Sequence, residues 1–242
     1  MGSTKPSADR QQALRLYIRD EGSPGINPWD SAGVRLIKRL VPPRVRYPLR
    51  VLATMLQRPV ATRKLREVQA SPPVLLHIGS GQNPKPGWTN IDLLGAPVDV
   101  AWDLAHGIPF PDASVNAIFH EHLMEHLTLR DGLRLCRECH RVLRADGILR
   151  IAVPDAGALL GSYAGTKERT WAEAAPTPML AVDALFYEHG HRAMYDGELL
   201  TLFVATAGFR LAEVSEFGHS RLEAVPDDFD RREGTLYVEA VK

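Results

Sequence analysis

The sequence has little that would mark a secreted, membrane-spanning or nucleophile-using protein. Its 242 residues contain two cysteines, Cys136 and Cys139, which is too few for a disulfide framework. The start is polar from Gly2 to Gln12 and shows no signal-peptide pattern. No apolar run reaches the roughly 18 residues of a membrane span. There is no G-x-S-x-G elbow and no Walker loop, so an activated serine and a P-loop are both unsupported. There is no internal repeat and no aromatic-studded RNA-binding signature, so a nucleic-acid partner is not expected. By default the chain is expected to be cytoplasmic.

One absence is local. Between Arg35 and Arg66 lie ten lysines and arginines and not a single aspartate or glutamate. The net charge of zero therefore hides an asymmetry. Residues 1–70 carry +9 and residues 71–242 carry −9. The change falls at Ser71-Pro72-Pro73, a natural linker, and divides the chain into a basic helical N-terminal extension (1–70) and a second domain (71–242). Three short helices are expected in the extension. One is capped by Ser7, one is capped by Ser31 and stopped by Pro42-Pro43, and one carries Val51, Leu52, Met55 and Leu56. The basic run reads either as the solvated face of a helical lid or as a surface for an anionic partner such as lipid headgroups, a lipid-linked sugar phosphate or RNA.

What is present begins at residue 74. Val74-Leu75-Leu76-His77-Ile78 is an apolar strand running into the turn Gly79-Ser80-Gly81. A second strand ends at Asp92, eleven positions past Gly81. Strand, G-x-G turn, strand and acid is how α/β folds hold a ribose-containing cofactor. A dinucleotide fits poorly. The third glycine would fall at Pro84, and the acid comes well before the roughly 20 residues that fingerprint needs. Gln82 to Gly87 is proline-rich and poor helix material, which leaves no helix N-terminus to seat a pyrophosphate. That argues against an NAD-dependent oxidoreductase and for S-adenosylmethionine (SAM), which has a ribose and no phosphates.

Strands and helices alternate from there on. Strands are expected at 74–78, 88–92, 98–101, 115–119, 148–153, 209–217 and 234–241, with helices at 129–144 and 196–207. The predicted fold is α/β: a Rossmann-like, doubly wound, mostly parallel seven-stranded sheet with an antiparallel last strand, plus the helical extension.

Leu76-His77-Ile78-Gly79-Ser80-Gly81 followed by Pro86-Gly87-Trp88-Thr89-Asn90-Ile91-Asp92-Leu93 resembles the opening of bacterial class I SAM-dependent methyltransferases, in particular the type 11-like subgroup found with biosynthetic genes. The resemblance continues through Asp103-Leu104, the run from Ile108 to Val115, His122 to Leu127, Glu138 to Leu143, Ile151 to Asp155, Ala207-Gly208-Phe209 and Leu236 to Ala240. Ser80, Asn116 and Asp146 stand where that pattern more often has Cys, Asp and Gly. The resemblance implies that Gly79, Ser80 and Gly81 lie against the methionine part of SAM, and that Asp92 and Leu93 lie at its ribose. Asp103 and Leu104 would then lie at the adenine, and His120 near the methyl donor. A turn-capping aspartate is the other reading of Asp103. The implied acceptor is a small molecule or a glycan- or lipid-linked group, methylated at oxygen. His122, His191 and Asp155 are the candidates for catalysis. A methyltransferase-like binding or scaffold subunit is the alternative.

His122, Glu125 and His126 share one face if the segment is helical. They resemble the E-x-x-E-H metal site of small-RNA 2′-O-methyltransferases and ubiquinone-pathway O-methyltransferases, with His189 or His191 as the distant ligand. A metal-free loop ordered by hydrogen bonds is the expectation, with the metal question left open. Cys136-Arg137-Glu138-Cys139-His140 matches a haem-attachment spacing but lies on an amphipathic helix, where two buried thiols are the better reading.

Overall fold

The computed structural model describes residues 8–20, 42–95, 97–166, 175–188 and 190–242. The caps expected at Ser7 and Ser31 lie outside these residues. Among the described residues three helices precede the sheet: α1 (Ala8–Asp20), α2 (Pro43–Leu56) and α3 (Arg58–Gln69). Pro43 opens a helix, and the helix expected to end at Pro42-Pro43 lies outside the described residues. At a first helical position its missing N–H costs nothing and its fixed φ already suits the helix. The third expected helix therefore starts earlier than its apolar residues suggested.

The sheet has seven strands in the order β3-β2-β1-β4-β5-β7-β6. They are β1 (Leu75–Ile78), β2 (Thr89–Asp92), β3 (Val100–Ala101), β4 (Val115–Glu121), β5 (Leu143–Pro154), β6 (Leu211–Ser215) and β7 (Thr235–Val241). The first five run parallel, and β7 is antiparallel to both of its neighbours. The remaining helices are α4 (Leu129–Val142), α5 (Ala156–Tyr163), α6 (Pro178–Asp183) and α7 (Gly197–Thr206). No helix among the described residues is long and apolar enough to cross a membrane.

Alternation along the strands sends side chains to two different faces. Leu76, Ile78, Ile118, Leu149, Ile151 and Val238 meet α3, α4 and α7 in the main core. In α4, Leu135, Cys136, Cys139 and Val142 are buried, and the Cys136 thiol lies 3.9 Å from Met124 Sδ. Burial pushes the Cys136 thiol up to about 12 and also raises Cys139 well above its ordinary value, so both stay protonated. The opposite face holds Trp88, Ala117, Phe119, Ala152 and Tyr237, packed against Phe217 and Leu222 from the long β6–β7 connection rather than against a helix.

Arg150 of β5 is fully buried on that second face. Asp227 receives two of its N–H groups, at 2.6 and 2.5 Å. The carbonyls of Glu216 and His219 take two more, at 3.0 and 2.9 Å, and Ser215 Oγ lies at 3.2 Å. An interior guanidinium is tolerated only when its donors are matched in this way. Here they tie the loop after β6 onto the sheet.

Candidate active site

The turn after β1 is built on two left-handed glycines, Gly79 (φ +66°) and Gly81 (φ +53°). The left-handed φ of Gly79 disfavours any residue with a Cβ, and a Cβ there would also lie 2.7 Å from the Leu123 side chain and force it to move. Asp92, at the end of β2, is locked to the turn. Its Oδ2 accepts the Gly81 N–H at 2.9 Å, and its Oδ1 accepts the Leu93 N–H at 2.5 Å.

Arg50 of α2 approaches the same carboxylate at 3.4 Å and donates to the carbonyls of Leu94 (2.9 Å) and Leu93 (3.1 Å). Thr54, one helical turn on, accepts the Leu94 N–H at 2.8 Å. These contacts bring the extension onto the loop that follows Asp92. The charge pattern drew attention to the basic segment but could not say that Arg50 turns inward.

A cavity of about 540 Å³ opens here. Gly79, Asp92, Leu93, Asp103 and Leu104 line it, so five of the eight expected cofactor residues meet in one space. Tyr47 of α2 also lines it, as do Leu123, His126 and Arg192. Ser80 and Gly81 form the turn without lining the cavity. Asp103 also caps a short turn, with Oδ1 accepting the Ala105 N–H at 3.0 Å and Oδ2 3.2 Å from His106. His120 is placed differently from expectation. β4 runs on to Glu121, two residues past its expected end, and His120 pairs with Ile151 inside the sheet. It is completely buried, does not line the cavity, and is pushed down to about 3 by burial. His77, bonded to Asn90 at 3.0 Å, is pushed down to about 4 for the same reason.

After β4 the chain forms a single 3-10 turn at Met124–His126, preceded by His122 at φ +50°, rather than the helix that would put three ligands on one face. His122 Nδ1 lies 3.0 Å from Glu125 Oε1. A carboxylate only accepts, so Nδ1 carries the proton and Nε2 is left basic. Glu125 is buried, and its Oε2 lacks a hydrogen-bond partner among the described residues. The N–H groups of Arg192 and Ala193 donate to the Glu125 carbonyl and pin the 191–193 segment beside it. His191 Nδ1 donates to the Leu185 carbonyl at 2.6 Å, and its ring meets His126 edge-on at 4.9 Å. Glu125, His126 and His191 thus offer ligand atoms within 4.8 Å of one another. His189 lies outside the described residues. Asp155 is not part of this group. Its Oδ1 caps α5 by accepting the Ala158 N–H at 2.7 Å.

Residue type and spacing did not reveal a polar knot beside the turn. Asn83 donates to Glu121 at 3.0 Å and to Asp228 at 2.8 Å, and Lys85 lies within 3.7 Å of both acids. Asp228 is 145 residues from Asn83, so only the fold brings them together.

Residues 83–151 match a family described as a methyltransferase domain. A 48-residue stretch is 44% identical to two probable S-adenosylmethionine-dependent methyltransferases of Mycobacterium tuberculosis, from strains CDC 1551 and H37Rv. That stretch is 20% of this chain and 17% of each relative, so the match spans about a sixth of the relatives' length. Among solved structures, a SAM-dependent methyltransferase of Archaeoglobus fulgidus is 14% identical at a TM-score of 0.48, covering 80% of this chain and 94% of that one. Phosphoethanolamine N-methyltransferase 2 of Haemonchus contortus, in complex with S-adenosyl-L-methionine, is 14% identical at 0.45, covering 75% and 52%. The matched segment runs from the turn after β1 through β4 and α4 into β5, within the seven-stranded sheet that ends in an antiparallel β7.

Proposed function

We propose that the chain transfers a methyl group from SAM to a hydroxyl of a small-molecule or glycan- or lipid-linked acceptor. The observation that carries this reading is the convergence of the Gly79 turn, the Asp92 carboxylate and the Asp103-Leu104 turn on one cavity. The site suits the cofactor. Backbone can approach it at a left-handed glycine, and a carboxylate stands ready for ribose hydroxyls. When bound, SAM supplies an electrophilic methyl on a sulfonium.

The chain's own residues would then align the acceptor and take its proton. His122 suits proton removal because Glu125 fixes its tautomer and leaves Nε2 basic. His126 lines the cavity and helps to orient the acceptor; His191 packs edge-on against it, and neither His191 nor His122 is among the lining residues. Asp155, engaged as a helix cap, is the weaker of the three catalytic candidates.

Calorimetry of the full chain with SAM tests the cofactor half. Binding is expected, and its absence would favour a scaffold role. A mass-spectrometric screen of hydroxyl, amine and carbon acceptors tests the other half. A product methylated at nitrogen or carbon would overturn the oxygen reading.

A further inference from the structure

We propose that α2 is a docking surface for anionic lipid, with its outer face laid on a bilayer while its inner face holds the turn after Asp92. Val45, Leu49, Leu52 and Leu56 recur at i, i+4, i+7 and i+11, which confines them to an arc of about 60° on a helix of 3.6 residues per turn. Their exposures are 43, 51, 54 and 75%. Val60 at the start of α3 is also exposed. Isolated exposed apolar residues are ordinary on a protein surface, but a continuous apolar stripe marks an interface.

The opposite face of α2 is polar and engaged. It carries buried Thr54, together with Arg50 bonded to the carbonyls of residues 93 and 94. The helix is therefore amphipathic the wrong way round for a helix solvated only by water.

Charge selects the occupant. Arg44 and Arg46 fall about 100° to either side of the stripe, and residues 35–66 contain no acid at all. An apolar stripe flanked by cations is the pattern of a helix lying in the plane of an anionic bilayer surface. A second copy of the chain fits less well, because a two-fold interface would set this basic face against itself. Nucleic acid would meet the charge but offers no apolar phase for four aliphatic side chains. Because Tyr47 of α2 also lines the cavity, docking would hold the cavity close to the lipid surface. The further step, that acceptors arrive on a lipid anchor, rests on the methyl-transfer reading; the docking itself does not.

The test is sedimentation of the full chain with phosphatidylcholine vesicles, with and without phosphatidylglycerol, at low and high salt. Binding is expected to be at least tenfold stronger with phosphatidylglycerol and to fall steeply as salt screens the charges. A Leu49→Ser/Leu52→Ser double variant should lose at least tenfold of that binding, with melting temperature and SAM affinity unchanged. Equal sedimentation with both lipids, no sedimentation, or undiminished binding by the variant would overturn the proposal. So would a wild-type dimer in sedimentation velocity that the double variant abolishes, since that would give the stripe to a second copy. Loss of SAM binding with vesicle binding intact would instead remove the functional reading alone.

Discussion

Helices α2 and α4 are each 14 residues long and amphipathic, yet they are installed in opposite senses. In α4 the apolar side, Leu135, Cys136, Cys139 and Val142, is buried in the main core. In α2 the apolar side faces out and an arginine and a threonine face in. Periodicity says that a helix has two faces. It does not say which faces inward, because that depends on what the neighbour offers. Beneath α4 lies the aliphatic face of the sheet. Beneath α2 lies a loop with backbone carbonyls and an N–H to satisfy, so polar side chains turn in.

The largest expected effect tests that contrast directly. Leu135→Ala should destabilise the protein by about 3 kcal/mol in urea denaturation, as a core truncation does. Leu52→Ala should stay within about 0.5 kcal/mol. Comparable losses would mean that the outer face of α2 is packed after all.

The two helices also border different parts of the cavity. The loop leading to α4 carries the proposed base, so His122→Ala should lower turnover about a hundredfold with SAM affinity nearly unchanged. Turnover should survive exhaustive chelation. If it does not, Glu125, His126 and His191 are metal ligands rather than packing and orienting groups.

Acidification should act on the sheet and leave α2 alone. His77 and His120 hold folded values of about 4 and about 3, below the ordinary 6.5. The stability gained by keeping them neutral is complete above about pH 6.5. It is lost as pH falls below that, because the unfolded chain takes up protons that the folded one refuses. By pH 5 the loss is about 2 kcal/mol for each. Chemical denaturation across pH 5–7 checks this, and His120→Leu should remove about half of the slope. Helix α2 has no acid and no histidine, so vesicle binding should not change over the same range.

The smallest effect concerns cofactor affinity. Asp92→Ala should weaken SAM binding more than tenfold, and Arg50→Ala only severalfold, since it removes the clamp and not the carboxylate. Kinetically, Arg50→Ala should raise KM for SAM and spare kcat. An equal fall in kcat would tie α2 to the chemical step.

The β1–turn–β2 unit was legible because an apolar run, two glycines and a following acid each have one dominant structural meaning. Alternation of strands and helices also gave the seven strands and helices α4 and α7, with ends off by up to five residues, and did not give α3, α5 or α6. His120 was misplaced because pairing with β5 extends β4, and pairing is not a local property. The Met124 turn was read as helix because E-x-x-E-H spacing suggests one, while the observed geometry depends on a left-handed His122. Asp155 looked like an acceptor contact at a strand end, where a capping aspartate has the same sequence pattern. Arg50 and the Asn83–Glu121–Asp228 knot were illegible for the same reason: their partners lie 38 to 145 residues away.

The buried Arg150 also limits how this protein can be redesigned. The connection between β6 and β7 looks like a dispensable surface loop, the kind usually trimmed or used as an insertion point. Removing Asp227 would take the two-pronged partner from a guanidinium buried in the sheet and leave Glu239, at 3.5 Å, as its nearest carboxylate; breaking a buried pair costs up to about 3–5 kcal/mol, a large share of the stability of an ordinary domain. Fusions and insertions are better directed to the turn at Asp112-Ala113, which is exposed and tied down chiefly by a surface ion pair with Arg141 and two backbone hydrogen bonds.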